Sequence, residues 1–185
     1  LLPEELDALG SLTPRLNWRR VRLHRGAGGR AERLLRKTVL RLSGGRAVAL
    51  GNHVFLPDAC CRALPVLAHE LTHCLQYQTW GPVRYLAAAL ADRVREVGHR
   101  VGLCDNPYAY QFEPGRPFET YRMEQQGQIV EDCFRGNAIA SALSPYRPAG
   151  CATASRMADA KASTSSGVVS NAVIQRTSDS RSFQT

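Results

Sequence analysis

Apolar positions along this chain change their period several times, and each change marks an element. From Leu64 onward they recur as Leu64, Leu67, Ala68, Leu71 and Leu75, the spacing of one helix face turned to a core. That pattern predicts a helix from Pro65 to about Gln78. Trp80-Gly81-Pro82 breaks it, with proline placed for the first turn of a new helix. Val83, Leu86, Leu90, Val94 and Val97 then predict a second amphipathic helix to about Gly98. A third helix is expected over Phe118 to Phe134. Between the last two, residues 102–117 hold Gly, Pro, Asp, Asn and aromatics and read as a long irregular loop.

The N-terminal half reads differently. Pro3 to Leu9 suits a short helix stopped by Gly10. Trp18 to His24 alternates like a strand, and Gly26, Gly28 and Gly29 make a loop before a helical stretch at Ala31 to Arg36. Thr38 to Leu42 and Arg46 to Leu56 flank Ser43-Gly44-Gly45, which predicts a hairpin with a Gly-Gly turn. The expected class is therefore α+β, with a small antiparallel sheet or hairpin packed on the helix at 65–78 and on a later helix. Beyond about Ser144 the composition shifts to Ala, Ser, Thr and Gly. A domain over 1–144 and a partly disordered tail over 145–185 are expected.

Composition narrows the picture modestly. The 185 residues suit one domain, and no apolar run approaches the length of a bilayer span. The first residues carry neither an initiator Met nor a signal-peptide pattern, so an excised or processed domain is expected. Net charge is +8, and Arg15, Arg19, Arg20, Arg22, Arg25, Arg30, Arg33 and Arg36 crowd the N-terminal region. No nucleic-acid motif accompanies them, so a solvated basic face is expected rather than nucleic-acid binding. An acidic partner for that face is the remaining alternative. The six cysteines form no C-x-x-C, which argues against a cysteine zinc knuckle; their even count hints weakly at disulfides. Cys74 reads as a small buried hydrophobe.

The chemistry lies in His69-Glu70-Leu71-Thr72-His73. Residues four apart on a helix stand one above the other, so both imidazoles can reach one metal ion. Glu70 is placed to meet a water on that ion. This H-E-x-x-H arrangement belongs to zinc peptidases. A catalytic zinc takes three protein ligands and keeps one open position, and the third is often a carboxylate from a later helix. Glu124 and Glu131 are the candidates, seven apart on one helix face with Gly127 between them. Glu124 is preferred as ligand, with Gln128 and Glu131 as groups that orient ligands or, for Glu131, as the alternative ligand. Glu70 would then act as general base, and Tyr108, Tyr110, Tyr121 or Arg122 could stabilise the oxyanion. The strand before the helix could pair with an extended peptide. His24, His53 and His99 are isolated and read as structural or surface residues.

Three segments, Val21 to Gly26, Val48 to Leu56 and Leu67 to Gln76, resemble the zinc-metallopeptidase domains associated with bacterial contractile injection systems and with secretion-spike effectors. Glu124 to Asp132 resembles the downstream glutamate helix of one branch, although Gly127 and Gln128 stand where many members carry Ala and Asp. The resemblance spans roughly Val21 to Phe134. It implies a zincin-like architecture, Zn2+ as cofactor, His69, His73 and Glu124 as ligands, and Glu70 as base. It further implies a gluzincin-like endopeptidase acting on a protein or peptide substrate as a secreted or injected toxin-type effector. A spike or injection-system carrier and an immunity protein are the implied partners, with delivery into a target cell or the periplasm. The rival expectation is a non-catalytic zinc domain serving as a structural or cargo-docking module of the apparatus.

Overall fold

The structure, a computed structural model, describes residues 2–113, 115–149 and 173–174. Proline opens three of its helices: α1 (Pro3–Ala8), α3 (Leu64–Trp80) and α4 (Pro82–Arg100). Its fixed φ and missing N–H suit a first turn, where that donor has no intrahelical partner. Gly81, at φ +78°, ends α3 and starts α4, so the two helices meet at a one-residue corner.

The sheet is mixed rather than antiparallel. Strands β1 (Arg22–His24), β2 (Val48–Leu50) and β3 (His53–Phe55) lie in the order β1-β3-β2. β1 runs parallel to β3, and β2 antiparallel to it. The hairpin exists, but its turn is Gly51-Asn52 and not Ser43-Gly44-Gly45. Gly51 sits at φ +63°, where a two-residue turn favours glycine. Thr38 to Leu42 instead completes α2 (Arg30–Leu42), and Ser43 to Gly45 closes that helix, with the Gly45 amide donating to Leu40 O at 2.7 Å. The apolar residues before the glycines fit a helix face as well as a strand, and the helix won. Trp18–Arg20 forms a 3-10 turn, so the predicted first strand shrinks to its last three residues.

The chain then adds β4 (Tyr110–Gln111) inside the long loop, α5 (Met123–Phe134), α6 (Ala138–Leu143) and β5 (Val173–Ile174), which pairs antiparallel with β4. The predicted third helix loses its first turn because Phe118–Thr120 is 3-10 and Tyr121 is extended. After Ser144 the chain returns to the N-terminal segment: Ala149 N donates to Ala8 O of α1 at 3.2 Å, Arg147 N donates to Ser11 Oγ at 2.7 Å, and Tyr146 is buried. Except for 145–149 and 173–174, the expected tail lies outside the described residues.

The core joins the hairpin to α3 and α5. Val54, Leu56, Leu71, Ile129 and Val130 are inaccessible to solvent, with Leu9 and Leu12 packed below them. The Leu67, Ala68, Leu71, Leu75 stripe faces inward as expected. From Leu67 to Gln76 α3 is buried on every side, so its two histidines lie inside the protein too. The stripe on α4 behaves in the opposite way. Val83, Leu86, Leu90, Val94 and Val97 all face solvent, while Tyr85, Asp92 and Glu96 are buried. Among the described residues five cysteines are free, so the hint of disulfides is not met there; Cys74 is buried in the core. No helix among the described residues is long and apolar enough to cross a membrane.

Candidate metal centre

α3 delivers His69 and His73 one turn apart, and α5 crosses them closely enough to bring Glu124 to the same point. His69 Nε2 and His73 Nε2 are 3.1 Å apart. Glu124 Oε2 lies 3.6 Å from the first and 3.5 Å from the second. Ligand atoms bound tetrahedrally at zinc distances are about 3.3 Å from one another. The three atoms therefore form a triangle of the size a single zinc ion requires, and two imidazoles with a carboxylate are the donor types that hold it.

Gly127 makes the crossing feasible. A Cβ there would stand 2.8 Å from His69 Nε2 and 2.9 Å from its Cε1. Any larger residue would displace the ring or push the helices apart.

Each imidazole has a polar group behind it, and on His73 that group fixes which nitrogen carries the proton. Gln126 Nε2 donates to the backbone carbonyl of Tyr121 at 2.8 Å, so its Oε1 is the acceptor for Gln76 Nε2 at 2.9 Å. Gln76 Oε1 then faces His73 Nδ1 at 2.8 Å and must accept from it. That leaves the His73 Nε2 lone pair aimed at the triangle. Behind His69 stands Glu131, whose Oε2 lies 3.0 Å from Nδ1, an ion-pair distance without hydrogen-bond alignment, while its Oε1 accepts from Arg135. Glu131 thus sits behind the ring and Glu124 in front of it. Of the two glutamates, Glu124 is the one whose carboxylate groups with both Nε2 atoms, and Glu131 is not part of that triangle.

A third support comes from α4. Buried Asp92 accepts the Glu124 backbone N–H through Oδ2 at 3.2 Å and holds Arg95 with Oδ1. It fixes the start of α5, where Glu124 stands. Gln76 and Asp92 were missed in the sequence. The signal for Gln76 was its place three residues after His73, on the same helix face; for Asp92 there was none.

The electrostatics follow from burying three carboxylates and two imidazoles together. Burial alone would push the His69 imidazolium down, but hydrogen bonding to Glu124 and Glu131 carries it up to about 10. His73 is raised as well, against burial, mainly by the charge of Glu124. Burial raises Glu124, yet the two imidazoles outweigh it and hold the carboxyl far below the ordinary carboxylate range. Glu70 goes the other way: burial drives its carboxyl up, the histidines oppose this, and Glu124 and Glu131 reinforce it.

A cleft of about 610 Å³ opens onto the centre. His69, Glu70, His73 and Glu124 line it, and edge strand β2 forms one wall through Val48, Ala49 and Leu50. Of the four residues expected to stabilise an oxyanion, Tyr108 is among the lining residues. Its hydroxyl meets Arg46 Nη1 at 3.4 Å, and burial with nearby Glu124 and Glu96 raises its pKa, so it stays a donor. Tyr110 is turned to Asp132 in the core, with O–H to Oδ2 at 2.9 Å. Tyr121 donates to Gln111 O, and Arg122 caps α5 beside a different, polar hollow. Gln128 is spent on Asp132 Oδ1 at 2.9 Å and does not reach the imidazoles. His24 and His53 are not isolated: they stack with Phe55, and His24 Nε2 lies 3.0 Å from His53 Nδ1.

Residues 11–81 match the eCIS core domain. A stretch of 66 residues is 38% identical to the type VI secretion system spike protein VgrG2b of Pseudomonas aeruginosa, covering 36% of this chain and 6% of that protein. These matches tie the chain to contractile injection and secretion systems. No solved structure matches it. The eCIS match contains His69, Glu70 and His73 and stops before α5, so Glu124 and Glu131 lie beyond it. Neither description names a peptidase or a metal.

Proposed function

We propose that this chain is a zinc-binding domain carried by a contractile injection or secretion apparatus, and that its centre hydrolyses peptide bonds. The observation that carries the reading is the convergence of His69 Nε2, His73 Nε2 and Glu124 Oε2 at the floor of an open cleft. His69, His73 and Glu124 would hold the ion. When bound, zinc supplies Lewis acidity to a substrate carbonyl and lowers the pKa of water.

The chain's own residues supply the rest. Glu70 lines the cleft with a carboxyl shifted up by burial, which suits a base that must take a proton near neutral pH and give it back to a leaving amine. Tyr108, kept protonated, offers an O–H toward negative charge developing in the cleft. Among the described residues β2 has one unpaired edge, so an extended substrate segment could add to it beside the imidazoles.

A second reading rests on the comparisons. The similar proteins are described as an apparatus domain and a spike, which favours a non-catalytic zinc module that shapes or docks cargo. The two readings agree on the ion and part at Glu70. Purified protein should hold one equivalent of zinc, lost in His73→Ala. Glu70→Gln should retain the zinc and lose cleavage of a fluorogenic peptide library. If the wild type cleaves nothing and Glu70→Gln matches it in carrier assembly, the structural reading stands and the peptidase reading falls.

A further inference from the structure

The apolar face of α4 points outward along its whole length. Val83, Leu86, Leu90, Val94 and Val97, with Val101 at the C-terminal cap, are each between 54% and 82% exposed. Scattered exposed apolar residues are ordinary, but a contiguous stripe on one helix is a contact surface. The stripe has a specific period. Val83, Ala87, Leu90, Val94, Val97 and Val101 alternate steps of four and three, the 3.5-residue repeat of a coiled-coil seam. It runs for about 27 Å. Such a seam seats the knobs of another helix, whereas a sheet or an extended peptide has no matching period.

The flanks say what kind of helix. In that register Arg84 borders one side, and Arg93 and Arg100 the other. The acids of α4, Asp92 and Glu96, are both turned into the protein. Glu96 is shared among Arg46, Arg93 and Arg100, so one carboxylate answers three guanidiniums. Arg84 stands over the Trp80 ring at 5.0 Å. A second copy of this chain would bring more arginines and no acids to these flanks. An acidic helix would complement them.

We propose that α4 is the docking face for an amphipathic helix of a partner protein, with an apolar seam flanked by Asp or Glu. This inference is independent of the metal and of hydrolysis. The probe is a fluorescein-labelled 21-residue synthetic helix with Leu at the seam positions and Glu on both flanks, where self-repulsion keeps it from pairing with itself. Anisotropy titration of the full chain should show saturable binding that weakens with salt. The same peptide with Lys flanks should bind at least tenfold more weakly. Leu90→Glu with Val94→Glu should abolish binding and leave the melting temperature unchanged, because both side chains are exposed. Three results would overturn the proposal: no binding of the acidic peptide, equal binding of both peptides, or a wild-type chain that is a dimer by light scattering and becomes monomeric in the double variant. The last would assign the face to a second copy.

Discussion

His69 and His73 are set by what stands behind them as much as by what they face, and the sharpest predictions lie at that scale. Gln76 holds the His73 tautomer through a relay that ends on a backbone carbonyl. Gln76→Met should lower zinc affinity roughly 10–100-fold with the fold retained, as read by competition with a chromogenic chelator. Gly127→Ala places a methyl against the His69 ring. It should cost about 1–3 kcal/mol in chemical denaturation and weaken zinc binding further. His69 is raised to about 10, so near neutral pH a proton occupies it in the metal-free protein, and His73 is shifted in the same direction. Ligation needs neutral imidazoles. Zinc uptake should therefore release protons, and affinity should rise with pH through the neutral range; calorimetry in buffers of different ionisation enthalpy checks both. At this scale H-E-x-x-H alone pointed to three of the residues that line the centre. Which glutamate would face the two Nε2 atoms needed the crossing angle of α5, and sequence spacing does not contain that angle.

At the scale of elements, local pattern located the helices well and the strands poorly. Proline-opened α3 and α4 appear within a residue or two of their expected bounds. The turn at Ser43 to Gly45 misled because a helix stop and a hairpin turn use the same glycines. The orientation of α4 was illegible for a different reason. An apolar stripe normally faces the core, but here Asp92 and Glu96 are drawn inward by partners on other elements, the α5 N-terminus and Arg46. Burial pushes the Glu96 carboxyl up, and its bonds to Arg46 and Arg93 more than reverse this, leaving its pKa lowered. A lowered folded-state pKa gives stability that is present above the ordinary carboxylate value and is lost as pH falls through the folded one. Glu96→Gln should therefore flatten the acid limb of the stability curve, measured by urea unfolding from about pH 6 down to about pH 2.

For the molecule as a whole, one buried helix carrying two imidazoles is clamped between a small mixed sheet and a glutamate helix, and a cleft runs to the point where they meet. The α+β class was readable from the chain; the parallel β1–β3 pairing was not, since its partners are separated by a whole helix and a hairpin strand. Two surfaces follow, the cleft and the outward face of α4; they adjoin at Leu86 and Arg93, which line the cleft, whereas Leu90 and Val94 do not. Leu90→Glu with Val94→Glu should leave zinc content at the wild-type level. The central claim is that one zinc ion is held by His69, His73 and Glu124. Anomalous diffraction at the zinc edge tests it most directly. The account predicts one strong peak about 2.0–2.2 Å from His69 Nε2, His73 Nε2 and a Glu124 carboxylate oxygen. A zinc-replete crystal with no peak there, or with the ion bound elsewhere and the three side chains turned apart, would contradict it.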